Sequence, residues 1–405
     1  MAWRTVTLGG LEDESGGVIQ TGPFGSQLHA SDYSEVGIPV VMPTNIRDLR
    51  VTTEGIARVD PTHVERLTRH KLRPGDIVYS RRGDVEKCAL IDESQAGWLC
   101  GTGCLLVRVD GPNVDARCLA YLLSLPETRR WISQHAVGAT MPNLNTGVLR
   151  DVPIRLPPIE EQRVIAAILG ALDDRIESNR RRLVLLDQLL QAHWLQASLS
   201  ASVQRRLSDL VSTQYGVTAS AEASGDGPKF LRVTDINKSN WISWSAVPVV
   251  TLDVSEREKF LLRRGDIVVA RMADPGKSAI FDADHVDAVF ASYLVRLRAP
   301  TYEAALFVYS FLKSALYADY AAAATTGSVQ KNMNAKVIVD VDLPWPDAEV
   351  LAHFGSRASA VRQCMNHASR EIDGLTTLRD TLLRELLSGR MRLPEADSVL
   401  QEVRG

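Results

Sequence analysis

Two stretches of this chain carry apolar residues at a spacing that a helix collects along one side. In the first, Ile165, Leu169, Leu172, Ile176, Leu183, Leu186 and Leu190 recur on a heptad, and Asn179 and His193 take two of the inward slots. In the second the seam reads Phe354, Val361, Met365, Ala368, Ile372, Leu375, Leu382 and Leu386. Such a narrow apolar seam is the pattern of helices that pair with each other. The first helix is expected just after Leu156-Pro157-Pro158, because proline disfavours helix before it and is tolerated in a first turn. From Ile159 to Leu199 there is no proline, and Gly170 is the only glycine. A helix of about 40 residues is roughly 60 Å long at 1.5 Å per residue. The second helix begins after Pro344-Trp345-Pro346 and stops near Ser388-Gly389, a glycine C-cap. Asn179 and Arg379 either set the register of the pair or sit at its wet edge.

Elsewhere the period shortens. Ile77-Val78-Tyr79 and Ile267-Val268-Val269 are apolar runs that follow a Gly-Asp turn, which predicts strands. Leu119–Leu125 and Leu306–Tyr317 read as short helices. The two strand regions also match each other. Leu72–Asp92 and Leu262–Asp282 share 11 of 21 positions at an offset of 190. Pro39–Ile46 aligns with Lys229–Ile236 at the same offset, and Asn143-Leu144-Asn145 with Asn332-Met333-Asn334 at 189. A period this long is a duplicated domain with its linker, not a solenoid repeat. The expected fold is therefore α+β with a pseudo-two-fold internal repeat. Two β-rich domains, 1–155 and 203–345, alternate with helices at 156–202 and 346–392, and 393–405 is a tail. The first helix leaves one domain for the next and the second returns, so the two should run antiparallel as a coiled-coil spacer.

Composition narrows the function classes. The chain holds 46 Lys+Arg against 49 Asp+Glu, and none of the four main segments departs from neutrality by more than one charge. A histone-like, non-specific nucleic-acid binder is disfavoured, and any such contact must come from local patches. No run of about 18 apolar residues is present, so no membrane partner is expected. The N-terminus lacks a basic-then-apolar leader, and five cysteines do not suggest a disulfide framework. A cytoplasmic location is the expectation.

The local patches follow the Gly-Asp turns. Residues 66–87 hold seven Lys/Arg and residues 257–277 hold six, each against three acids. Such a run is commonly a solvated face, but here it occurs at equivalent places in both repeats. Ser80, Arg81, Arg82 and Lys87, with Arg271 and Lys277, are candidate DNA-contacting residues. The arginine fork matches guanine and phosphate acceptors. The loop Thr21-Gly22-Pro23-Phe24-Gly25-Ser26-Gln27 is a second candidate, since small residues let backbone amides approach a phosphate. It is equally readable as a plain turn. Asn143 and Asn145, and late in the second repeat Ser328, Gln330, Lys331, Asn332 and Asn334, offer groups suited to base edges or phosphates.

Catalytic signatures are not legible. Gly276-Lys277-Ser278 resembles the end of a P-loop, but Arg271 stands where the first glycine belongs. Gly101-Thr102-Gly103 lacks the third glycine of a dinucleotide site, and Cys100 and Cys104 have no second Cys/His pair nearby. No HExxH, no Ser/His/Asp pattern and no carboxylate–lysine nuclease cluster appears.

These features together resemble the specificity subunit of type I restriction–modification enzymes. In the first repeat the likeness is carried by Thr21–Ser26, His29, Asp32-Tyr33, Gly37-Ile38-Pro39, Asn45-Ile46 and Pro74-Gly75-Asp76-Ile77. It continues in Met141-Pro142-Asn143-Leu144-Asn145 and in Leu156-Pro157-Pro158-Ile159-Glu160-Glu161-Gln162 at a helix start. In the second repeat it is carried by Arg264-Gly265-Asp266-Ile267, Gly327–Asn334 and Leu386-Leu387-Ser388-Gly389. There Leu343-Pro344-Trp345-Pro346-Asp347-Ala348-Glu349 departs from the proline–glutamine form, and the Gly-Pro-Phe-Gly loop has no clear counterpart.

The resemblance implies a non-catalytic subunit whose two target recognition domains each read half of a bipartite, asymmetric site in double-stranded DNA. The helices would fix the spacing and dock two methyltransferase subunits. S-adenosylmethionine, and ATP with Mg²⁺, would belong to the methyltransferase and restriction (translocase) subunits, with no cofactor on this chain. Arg175, Arg180, Arg181 and Arg182 on the first helix are candidates for the partner surface, with a plain solvated face as the alternative. Two other classes stand beside this reading: a non-DNA scaffold assembling a defence or signalling complex through its helices, and a stand-alone enzyme, such as a nuclease.

Overall fold

A computed structural model describes residues 3–24, 27–109, 111–138, 142–325 and 332–387. The chain forms two compact units: residues up to 173 with those from 378 onward, and residues 174–377.

The first unit is built on a four-stranded antiparallel sheet ordered Val18–Thr21, Cys104–Arg108, Ile77–Ser80, Cys88–Leu90. Its second strand, Cys104–Arg108, and its third, Ile77–Ser80, are buried along their whole length. This is why they read as continuous apolar runs without alternation. Val78, Ala89, Cys104 and Leu106 pack with Val41, Ile46, Leu72 and Cys100 in one core. The helix Ala116–Ser124 packs on the sheet through the strand Cys88–Leu90. A second four-stranded sheet is ordered Leu99–Cys100, Ile38–Val41, Ala57–Val59, Tyr33–Ser34, with its first pair parallel and the others antiparallel. Arg4–Thr7 pairs antiparallel with Pro153–Leu156 and brings the chain to the first long helix.

The Gly-Asp turn has a specific build. Gly75 has φ +90°, a conformation glycine adopts without a Cβ clash. Asp76 then folds back to accept the Arg73 amide at 2.7 Å and pairs with Arg108 at 2.6 Å while 1% exposed. A buried carboxylate needs such a partner.

The second unit orders its strands Ser212–Tyr215, Leu294–Arg298, Ile267–Ala270, Ser278–Ile280. Lys229–Leu231 and Ala288–Phe290 pair in parallel, and Val203–Arg206 pairs with Asp342–Trp345. Gly265 has φ +90°, and Asp266 accepts the Arg263 amide at 2.8 Å and both Arg298 donors at 2.6 and 2.7 Å. The single helix expected over Leu306–Tyr317 is instead two, Tyr302–Leu312 and Ala315–Thr325. Ser314 sits in the break. Its hydroxyl donates to the Phe311 carbonyl at 2.7 Å and accepts the Tyr317 amide at 3.4 Å, so a side chain takes over backbone groups that a continuous helix would pair.

The long helices are Ile159–Leu199 and Ala348–Leu387. Every apolar seam residue expected on the second is buried, as are those on the first apart from half-buried Leu186. Asn179 is buried with them, and His193 is half-buried. The C-cap expected at Ser388-Gly389 and the tail 393–405 lie outside the described residues. Gln162 explains the proline–glutamine motif. It is fully buried, donates to the Pro157 and Asn113 carbonyls at 2.8 and 3.0 Å, and accepts the Asp115 amide at 2.8 Å. It thereby ties the helix start to the sheet domain. At the second helix Asp347 does a different job, accepting the Val350 amide at 2.8 Å as an N-cap.

Candidate nucleic-acid interface

Arg81 and Arg271 each follow a buried strand, and each is held through its main chain. The Arg81 amide donates to Gly103 at 2.8 Å, and its carbonyl accepts Leu144 at 2.9 Å. The Arg271 amide donates to Tyr293 at 3.0 Å, and its carbonyl accepts Met333 at 2.8 Å. Arg82 bridges to Asn143, and Met272 to Asn332. In both units the fold therefore lays the Asn-x-Asn segment against the arginine that leaves the strand. The Nε atoms of Arg81 and Arg271 and Oδ1 of Asn143 are enclosed and have no hydrogen-bond partner among the described residues.

The other candidates separate by position. Ser80 is 1% exposed and donates to the Arg82 carbonyl at 2.9 Å, so it shapes the loop from inside. Arg82 is exposed, Lys87 is exposed and paired with Asp84, and Lys277 is half-buried. Asn145 and Asn334 are exposed helix caps. Their side-chain oxygens accept the Val148 amide at 2.8 Å and the Val337 amide at 3.0 Å. Asn332 is exposed, while Ser328, Gln330 and Lys331 lie outside the described residues.

In the loop after the first strand, Thr21 is half-buried, Gly22 and Pro23 are buried, and Phe24 is 60% exposed. Gln27 accepts the Phe24 amide at 3.3 Å, and Gly25 and Ser26 lie outside the described residues. Gly22 donates to Cys104 at 2.9 Å, and a Cβ there would meet the Gly101 oxygen at 1.9 Å. The Gly-Pro-Phe-Gly sequence is absent from the second repeat, but its first glycine has a counterpart by position. Thr21 faces Leu105 across the sheet, and Tyr215 faces Val295 in the same register. Gly216 follows, donates to Leu294 at 3.2 Å, and would put a Cβ 2.3 Å from the Ala291 oxygen. The counterpart lies at an offset of 194, outside the 190 frame, because the segments that follow differ in length.

Two features escaped the sequence reading. Tyr215 is 43% exposed and stacks on Arg271, with the guanidinium carbon 5.1 Å from the ring centre. The second is on the first long helix, where Arg175 pairs with Glu371, Arg181 with Glu177, Arg180 is half-buried and Arg182 is exposed. Beyond these arginines the exposed side holds Val184, Leu185, Leu189, Leu195 and Leu199, an apolar stripe on the face away from the seam. The repeat of exposed leucines at helical spacing was its available signal.

Cys88, Cys100, Cys104 and Cys118 are buried, and burial raises the Cys88 thiol to about 12. Among the described residues no His, Cys, Asp and Glu side chains are grouped to hold a metal ion. No described helix is long and apolar enough to cross a membrane.

In each unit an arginine that leaves the sheet thus has an Asn-x-Asn segment laid beside it, and the comparisons with known proteins give the class that this chain resembles. Residues 63–188 match the family model of the type I restriction modification DNA specificity domain, a span that holds Arg81, Asn143 and the start of the first long helix. The chain is 22% identical over 297 residues to the EcoBI type I restriction enzyme specificity subunit of Escherichia coli, covering 62% of each. It is 26% identical over 160 residues to the putative type I restriction enzyme MjaX specificity subunit of Methanocaldococcus jannaschii, covering 38% of this chain and 37% of that one. The chain thus spans about three fifths of the length of the first of these relatives. In fold it is similar to the crystal structure of a type I restriction-modification S subunit from M. genitalium, with a TM-score of 0.57, 17% identity, and coverage of 95% and 96%. These findings bear out the resemblance read from the motifs.

Proposed function

We propose that this chain is the DNA-reading specificity subunit of a type I restriction–modification complex, with each β-rich domain reading one half of a bipartite, asymmetric target. The observation that carries the reading is the arginine–asparagine juxtaposition, built twice, once on each sheet. Arg81 and Arg271 supply the forks that match guanine or phosphate acceptors. In the first domain Arg82 and Asn143 adjoin Arg81, and in the second Asn332 adjoins Met272 beside Arg271; Arg82, Lys87, Phe24 and Asn332 are exposed. The matching strand order of the two sheets supports a duplicated domain.

The long helices act as a coiled-coil spacer, because a helix pair has a fixed length and so fixes the distance between half-sites. Arg175–Glu371 in one unit and Asp173–Arg379 in the other support an antiparallel pairing. The methyltransferase subunits dock on the helices' outer faces, and the exposed leucine stripe from Leu185 to Leu199 suits an apolar partner helix better than the paired arginines do. Methyl transfer with S-adenosylmethionine and ATP-driven translocation belong to the partners, and this chain is not itself an enzyme.

The test is methylome sequencing of a host with and without this gene. Adenine methylation at one bipartite site should appear only with it. Arg81→Glu and Arg271→Glu should each abolish recognition of one half-site. If both leave recognition untouched, the reading gives way to the non-DNA scaffold.

A further inference from the structure

Arg81 and Arg271 leave their strands at corresponding positions, but one neighbouring side chain differs. The Arg271 guanidinium carbon lies 5.1 Å from the centre of the Tyr215 ring, within the range where a cation is attracted to an aromatic face. Tyr215 is itself fixed: its hydroxyl accepts the Ala335 amide at 2.9 Å and its backbone pairs with Val295. With 43% of its surface exposed, the ring is not packed away in the core. Arg271 is held by the Tyr293 carbonyl and the Met333 amide, and its enclosed Nε has no partner among the described residues. In the first unit Thr21 takes the place of Tyr215, and among the described residues no ring stacks on Arg81.

We infer that Tyr215 is a positioning residue that presets the Arg271 guanidinium, so that the second domain reads one guanine-bearing base pair through an arginine fixed before DNA arrives. This rests on the proposed function. A free arginine loses rotamer freedom when it binds, and a stacked one has lost it already, which sharpens discrimination between right and wrong bases. Guanine O6 and N7 are the acceptors the fork fits. Among the described residues Arg81 has no such ring, so the two heads present their arginines by unequal means.

The experiment offers the full chain a pool of duplexes with randomised positions and sequences the bound fraction. Wild type should enrich two half-sites. Tyr215→Leu should lose about tenfold preference at a single base pair of one half-site, the same base pair that Arg271→Ala loses. Tyr215→Phe keeps the ring and should keep the preference. The untouched half-site reports that each variant is folded. A Tyr215→Leu profile equal to wild type, a Tyr215→Phe profile equal to Tyr215→Leu, or loss of both half-sites in Tyr215→Leu overturns the inference alone. A wild-type chain that enriches no bipartite sequence overturns the proposed function with it.

Discussion

Arg362 on the second long helix grips Asp282 with two parallel hydrogen bonds, Nε to Oδ2 at 2.7 Å and Nη2 to Oδ1 at 2.9 Å. Both residues are less than a tenth exposed. Burial works against the charge on Arg362, and the adjacent Asp282 carboxylate more than offsets it, holding the guanidinium above its ordinary pKa. The pair anchors the helix to the chain just after the strand Ser278–Ile280. Removing one partner strands a buried charge, so Asp282→Asn or Arg362→Met alone should cost about 3–5 kcal/mol. The double variant Asp282→Leu with Arg362→Met should recover most of that. Urea unfolding of the three chains checks it, and single variants within about 1 kcal/mol of wild type would remove the anchor from the account.

Gly22 and Gly216 allow the strand before each loop to end against a backbone oxygen, 1.9 and 2.3 Å from where a Cβ would sit. Neither neighbour is a flexible side-chain tip, so the backbone itself must shift. Gly22→Ala and Gly216→Ala should each destabilise by about 2–3 kcal/mol, and an alanine tolerated at either site would refute the close approach.

The turn after Arg82 contains Gly83 at φ +75°, and the matching turn after Met272 contains Ala273 at φ +64°. The alanine bears a strain that the glycine does not. Ala273→Gly should therefore raise stability by about 1 kcal/mol and Gly83→Ala should lower it by a similar amount. Thermal unfolding decides the matter by the opposite signs of the two shifts.

His70 is 2% exposed, and neither ring nitrogen has a partner among the described residues. Burial, assisted by the charge of Arg69, lowers its pKa from 6.5 to about 4. The unfolded chain therefore takes up this proton first as the pH falls. The stability tied to neutral His70 is fully present above pH 6.5 and is lost as the pH drops towards 4. Its slope is at most about 1.4 kcal/mol per pH unit. A His70→Leu chain should lack this component, and a pH profile parallel to wild type would contradict it.

The helices and the Gly-Asp strands were legible because each announces itself locally. A heptad seam marks one, and a turn followed by a short apolar run marks the other. The contact of Arg81 with Leu144 was not, since it joins segments more than sixty residues apart. Asn145 and Asn334 could have been read as helix caps, but the helices they start, Thr146–Arg150 and Ala335–Ile338, are too short to show a period. Ser80 stands beside Arg81 in the sequence, and only the two-sided burial of its strand removes it from the surface. The Gly216 counterpart stayed hidden because a length difference broke the repeat's offset just beyond it.

The proposed function requires that the long helices set the distance between two reading domains. Inserting one heptad into each long helix lengthens that spacer by about 10 Å, or about three base pairs. Duplex selection with the lengthened chain is predicted to return the same two half-sites with a longer gap between them. An unchanged gap, or altered half-site sequences, would contradict the account.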